Sequence, residues 1–191
     1  MMDNLPIYAI TDGDLTYISL VEFPAVETDF MCFSKKHNTY LPMRFNDEKR
    51  EITGVAMIAD KPIYRFDYVR GDYYVVFSRE IIERLAYKFF KQHRNTDVNI
   101  EHEDTVDGVT IIESYFINHR RNILPNEFDD LADGSWIVTY KVDNEEVYQK
   151  IKSGELRGFS IQGDFWLSEQ PINQTVENEQ LDVYAYIESL I

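Results

Sequence analysis

The sequence predicts an α+β domain in which about seven strands form a barrel or a curled sheet flanked by helices. Three observations predict it. Apolar and aromatic residues make up 44% and 14% of 191 residues, enough to fill one core. Strand-type runs outnumber the stretches with helical periodicity. The two do not alternate regularly, which disfavours a doubly wound parallel sheet.

The elements follow in order. Tyr17-Ile18-Ser19-Leu20-Val21 reads as a strand that Phe23-Pro24-Ala25 ends, because proline removes a ladder donor. Residues 35–47, with Lys35, Lys36, Asn38 and Pro42, read as a polar connection. Ile52 to Ala59 is a nearly continuous apolar run, as in a buried strand, and Asp60-Lys61-Pro62 breaks it. Tyr73 to Phe77 is aromatic and β-branched, so it predicts another strand. Ser78 then caps a helix whose Ile81, Ile82, Leu85, Ala86, Phe89 and Phe90 form one apolar stripe. Strands are predicted near 97–103, 108–118, 135–142 and 157–167. A second helix follows Asp143, where Asp143-x-x-Glu146 resembles a capping box, and Gly154 ends it as a C′ glycine. Residues Glu169 to Glu179 read as a loop, and Val183 to Ile191 are amphipathic enough to dock.

Charge and cysteine content narrow the function. Lys and Arg number 19 against 34 Asp and Glu, a net charge of −15. Nucleic-acid binding needs clustered cations, and anionic lipid needs the same, so neither partner is expected. The single cysteine, Cys32, excludes an intramolecular disulfide and a Cys-based zinc site and reads as a small core hydrophobe. No stretch reaches about 18 consecutive apolar residues, so no transmembrane helix is expected. The N-terminus has neither the cationic nor the apolar region of a signal peptide, which predicts a cytoplasmic protein.

No Walker loop, GxGxxG, HExxH, EF-hand or GxSxG motif is present, and no cofactor is expected. The chemistry must come from polar residues placed oddly on strands. In Val98-Asn99-Ile100-Glu101-His102-Glu103, period two puts His102 on the apolar face with Val98 and Ile100. It reads either as a satisfied core histidine or as a general base. In Val109 to Ile117 the odd positions are apolar except Glu113, and a buried carboxylate needs a partner. A hairpin turning between Val106 and Asp107 would set His102 opposite Ile111 and Glu113 diagonal to it at about 7–8 Å. Such a pair either orients a catalytic imidazole or is a structural hydrogen bond. In Leu156 to Phe165, Phe159, Ile161 and Phe165 line one face with Gly163. Ser160 points the other way with Gly158, Gln162 and Asp164; it is either a solvated strand serine or a nucleophile. Asp164 lies about 13 Å along the strand from Ser160 and His119 about 20 Å from Glu113, too far to help. His37 and His93 sit in polar or helix-end contexts. A metal held by His102, Glu101 and Glu103 would need ligands from opposite strand faces.

With these residues in place, the sequence resembles a known family. The segments 52–57, 73–78, 98–102, 138–142 and 151–161, with the opening Ile18-Ser19-Leu20-Val21-Glu22-Phe23-Pro24-Ala25, together resemble the XkdF-like phage serine proteases, relatives of the prohead maturation proteases. The resemblance runs from about residue 17 to 167. It implies a fold similar to herpesvirus assemblin, with residues 1–167 as a protease-like domain and 168–191 as a partly flexible tail. It implies an endopeptidase that cuts scaffold and major capsid proteins inside a procapsid, in the host cytoplasm, with self-cleavage and self-association open to it. The family's histidine falls on His102 and its nucleophile on Ser160. Related enzymes use an acid or a second histidine as third member, and the strand-face argument selects Glu113 for that place. The other reading is a protease-like module that binds scaffold or capsid without cutting.

Overall fold

The computed structural model describes residues 5–22 and 43–172. Cys32, His37, the proline-ended segment after Glu22 and the chain beyond Ile172 lie outside the described residues. Ten strands and two α-helices are described. They are β1 (Ile7–Val21), β2 (Arg44–Asn46), β3 (Glu51–Met57), β4 (Ile63–Asp67), β5 (Gly71–Val76), α1 (Arg79–Lys91), β6 (Asn99–Ile100), β7 (Asp104–Thr105), β8 (Val109–Phe116), β9 (Trp136–Val142), α2 (Glu145–Lys152) and β10 (Gly158–Leu167). The α+β class holds, but the strands form two sheets and not a closed barrel. One sheet has the order β4-β5-β1-β6-β7 with β10 also paired to β1, and the other is β2-β3-β9-β8.

The long strand β1 organises the first sheet. Its start pairs parallel with β5, its end meets β6 at Leu20 and Ile100, and from Ile10 to Val21 it runs antiparallel to β10. The two sheets meet through buried apolar side chains, among them Ile18, Leu20, Ile52, Trp136, Tyr140 and Phe159. Tyr140 packs edge-to-face on Phe159 with ring centroids 5.3 Å apart, and its hydroxyl donates to the Ile18 carbonyl at 2.9 Å. Burial pushes the Tyr140 phenol well above its ordinary pKa, so it remains a donor. Gly54 lets β3 approach: a Cβ there would stand 3.0 Å from the Phe159 ring.

Both helices form where periodicity places them. Ser78 caps α1, its Oγ accepting from the Ile81 amide, and Ile81, Ile82, Leu85, Ala86 and Phe89 are buried. The cap of α2 falls one residue later than Asp143: Asn144 accepts from the Val147 amide, and Gly154 takes the left-handed conformation (φ 78°) just beyond the helix. Short strands escaped the sequence reading. β2 lies within the supposed polar connection, and β4 follows the proline break to form a hairpin with β5.

The largest correction concerns 97–118. The strand expected at 97–103 has only two strand residues, and the chain turns at 101–103, not at 106–107. β6 then pairs with β7, Asn99 opposite Thr105 and Ile100 opposite Asp104. β8 pairs with β9 in the other sheet. It carries an extra residue, Ile112, between the pairs Ile111–Tyr140 and Glu113–Thr139. A bulge of this kind swaps the faces beyond it. Ser114 and Phe116 therefore turn toward Trp136, whose indole N–H donates to Ser114 Oγ, and Glu113 is exposed.

Candidate active site

Ser19 and Ser160 are direct cross-strand partners on β1 and β10. Both lie on the sheet face opposite the inward ring of Phe159, as period two requires. The expected face for Ser160 holds, but the side chain is not solvated. Ser19 is fully buried and Ser160 is 5% exposed. The covering group is the imidazole of His102. Its Nε2 lies 3.0 Å from Ser160 Oγ and its Nδ1 lies 2.9 Å from Ser19 Oγ.

His102 reaches the two serines because it leaves the strand. Glu101 and His102 are consecutive residues with positive φ, 52° and 64°. Non-glycine residues rarely take this conformation, and each costs about 1–2 kcal/mol. Local bonds hold the turn: the Glu101 amide donates to the Leu20 carbonyl at 3.0 Å, the Glu103 amide to the Ile100 carbonyl at 3.0 Å, and the Glu22 amide to the Glu101 carboxylate. Asn99, two residues before the turn on the short strand β6, is buried and donates from Nδ2 to Gln162 Oε1 at 2.8 Å. It thereby ties the base of the histidine turn to β10 two residues from Ser160.

The geometry admits a proton path. With its hydrogen on Nδ1, the imidazole donates to Ser19 Oγ and accepts the Ser160 hydroxyl proton at Nε2, the arrangement of a nucleophile, a base and an orienting group. Of the two serines, Ser160 also borders a small, largely enclosed cavity of about 10 Å³ between β10 and the β3–β4 region, with Met57, Ile63, Arg65, Phe77 and Phe159 among its walls. Ser160, at 5% exposure, is the more accessible of the two, and Ser19 is fully enclosed.

Glu113 stands elsewhere. Its carboxylate accepts from Thr139 Oγ1 at 2.8 Å, and Thr139 meets Thr53 Oγ1 at 2.9 Å, a polar chain across β8, β9 and β3. The diagonal His102–Glu113 pair expected from the hairpin is not formed, because the bulge and the early turn put the two residues in different sheets. Ser19 takes the position on Nδ1 instead. Its signal was in the sequence: one polar residue inside the apolar run Ile18-Ser19-Leu20-Val21. Asp164 is exposed at the far end of β10, and His119 pairs with Asp133 on the surface.

A serine hydroxyl, a histidine and a second hydroxyl in line form an arrangement that can support serine-nucleophile chemistry. The comparisons narrow it. Residues 40–166 match the family described as "Putative phage serine protease XkdF", and the chain belongs to that family. It is 25% identical over 166 residues to the phage-like element PBSX protein XkdF of Bacillus subtilis strain 168, covering 81% of this chain and 54% of that protein. It is 26% identical over 187 residues to the uncharacterized protein YqbD of the same strain, covering 90% of this chain and 52% of that one. The chain thus spans about half the length of these curated relatives. No solved structure matches it.

Proposed function

We propose that this chain is a serine endopeptidase that cleaves scaffold and major capsid proteins during maturation of a phage procapsid, inside the host cytoplasm. One observation carries the enzymatic part: Ser160 Oγ lies 3.0 Å from His102 Nε2. His102 takes the Ser160 proton as Oγ attacks the scissile carbonyl, then returns it to the leaving amine. An acyl-enzyme forms, and water activated by His102 releases it. Ser19 holds the imidazole in the tautomer this needs.

The edge of β10 away from β1 supports a peptide substrate. Among the described strands β10 pairs with β1 only. An extended chain can add to such an edge through main-chain hydrogen bonds. The family description supports a phage serine protease, and the procapsid setting with scaffold and capsid substrates extends that description. The competing reading, a binding module without catalysis, is disfavoured by the hydrogen-bonded Ser160–His102 pair, which binding alone does not require.

The test is co-expression with the neighbouring scaffold and capsid proteins, wild type against Ser160→Ala, followed by mass determination of the fragments. Wild type should yield discrete products and the variant intact partners. Equal proteolysis by Ser160→Ala would remove Ser160 as nucleophile.

A further inference from the structure

Two buried polar groups near His102 are incompletely paired. Asn99 is 2% exposed; Gln162 Oε1 holds its Nδ2 at 2.8 Å, but its Oδ1 has no hydrogen-bond partner among the described residues. A buried carbonyl without a partner is costly, so its presence calls for an explanation. The other group is the hydroxyl hydrogen of Ser19. Ser19 is fully buried, and among the described residues its Oγ bonds to His102 Nδ1 alone. When Nδ1 carries a hydrogen, Ser19 Oγ accepts it, and the serine's own hydrogen then needs an acceptor elsewhere.

The sheet sets these two groups side by side. β6 pairs parallel with β1, Ile100 beside Leu20, so Asn99 stands beside Ser19. Leu20 and Ile100 pack into the core, and period two then leaves Ser19 and Asn99 together on the opposite face, which is the face of Ser160. At this level β1 lies between β6 and β10, so the Asn99–Gln162 bond crosses over β1 on the side that carries Ser19. Gln162 also fixes which end of the Asn99 amide is free. With Nδ2 bound, the free end is an oxygen, which can only accept.

We infer that Asn99 is a positioning residue of the site, its Oδ1 accepting the Ser19 hydroxyl hydrogen when His102 becomes charged. At rest Oδ1 is unengaged. When the Ser160 Oγ proton moves to His102 Nε2, both ring nitrogens are donors and Ser19 can only accept from Nδ1–H. The Ser19 hydrogen then turns to Asn99 Oδ1, and the serine lone pair is held on the imidazolium. This bond forms only in the charged state, so it favours the transition state over the resting enzyme and acts on the chemical step, not on binding. The inference rests on the serine-nucleophile reading. It differs from a purely structural role for Asn99, tying β6 to β10 through Gln162, which would not depend on Ser19.

The experiment uses the full chain and a fluorophosphonate probe, which bonds to an activated serine Oγ with loss of fluoride. Labelling of wild type and not of Ser160→Ala supports the serine-nucleophile reading. Asn99→Ala should slow the labelling step at saturating probe about ten- to hundred-fold, the size of one buried hydrogen bond lost, and leave the half-saturating probe concentration nearly unchanged. Asn99→Asp, which keeps an acceptor oxygen, should recover most of that loss. In a Ser19→Ala background, Asn99→Ala should slow labelling no further, because the two residues act as one unit. Thermal melting verifies folding, and Asn99→Leu, of similar shape, takes the place of Asn99→Ala where the alanine variant melts early. A wild-type enzyme that labels, with folded Asn99→Ala or Asn99→Leu labelling equally fast, overturns the inference and leaves the serine-nucleophile reading standing. So does a folded Asn99→Asp as slow as Asn99→Ala, or an Asn99→Ala loss that is undiminished in the Ser19→Ala background. A wild-type enzyme that does not label overturns both.

Discussion

Ser19→Ala isolates the least conventional contact in the site. The substitution removes one buried hydroxyl, 2.9 Å from His102 Nδ1, and leaves the hydroxyl of its cross-strand partner Ser160 in place. A neutral hydrogen bond contributes about 0.5–1.5 kcal/mol net, and a buried N–H left unmet costs about 1–3 kcal/mol. Ser19 is fully enclosed, so water has little access to replace the lost acceptor and the upper range applies. At 1.36 kcal/mol per tenfold, about 1–3 kcal/mol converts to a fall in kcat/KM of roughly 5- to 150-fold. The loss is smaller than for removing a buried aspartate from a triad, because a hydroxyl stabilises the imidazolium only weakly. The assay is the pH profile of kcat/KM on a matched peptide, with fluorophosphonate labelling rate as a second readout. A positioning role lowers the plateau and the labelling rate together and leaves the melting temperature nearly unchanged. An unchanged plateau in a folded Ser19→Ala enzyme would refute the orienting role. Loss of labelling in Ser19→Ala with retention in Ser160→Ala would reverse the assignment of the two serines.

Three further outcomes are expected. Glu113→Gln should retain activity and lose no more than about 1 kcal/mol of stability, since the amide oxygen still accepts from Thr139 on an exposed strand face; inactivation without unfolding would return Glu113 to the catalytic group. The exposed pair His119–Asp133 should give a pH-dependent stability: its hydrogen bond raises the His119 pKa above 6.5 and lowers that of Asp133 below 3.8. The histidine contribution is complete below its unfolded pKa and fades as pH rises through the raised value, and the aspartate contribution fades as pH falls through the lowered one. His119→Ala should therefore lower the melting temperature near pH 5 and have little effect near about pH 9; an equal effect at both would exclude the ion pair as the cause. Gly163→Ala should destabilise by about 1–3 kcal/mol or more, because its Cβ would sit 2.3 Å from the Asp14 carbonyl oxygen on β1; a wild-type denaturant midpoint would show that β1 and β10 can separate there freely.

The parts of the site that local rules govern were legible in the sequence. Period two on β10 put Ser160 opposite Phe159, and the cap at Ser78 and the stripe from Ile81 to Phe89 defined α1. The failures share one cause, the loss of period. Glu101 and His102 take left-handed conformations that sequence assigns to glycine or asparagine, so a turn looked like a strand. Ile112 is bulged, so the odd-numbered face of β8 that seemed to bury Glu113 ends at Ile111. A residue added to one strand is invisible until its partner is known, and the partner, β9, lies more than a hairpin away. Ser19 escaped for a different reason. A lone serine in a strand acquires meaning only from the residue across from it, and that residue is 141 positions later, at Ser160.

That separation bears on how the site is held. Its three side chains come from β1, from the 101–103 turn and from β10, and no two are local in sequence. The histidine turn is unfavourable by itself, at about 1–2 kcal/mol for each of its two left-handed residues. It is anchored to the end of β1 through the Leu20 carbonyl and the Glu22 amide. The same end of β1 carries Ser19 and pairs with Ser160. One strand therefore fixes the register of the nucleophile, supplies the group on Nδ1 and restrains the backbone that presents the base. Loosening the end of β1 would disturb all three together, whereas loosening β8, where Glu113 lies, would leave them in place. Local unfolding at Leu20–Glu22 is thus the motion to which the Ser160–His102 distance is most sensitive.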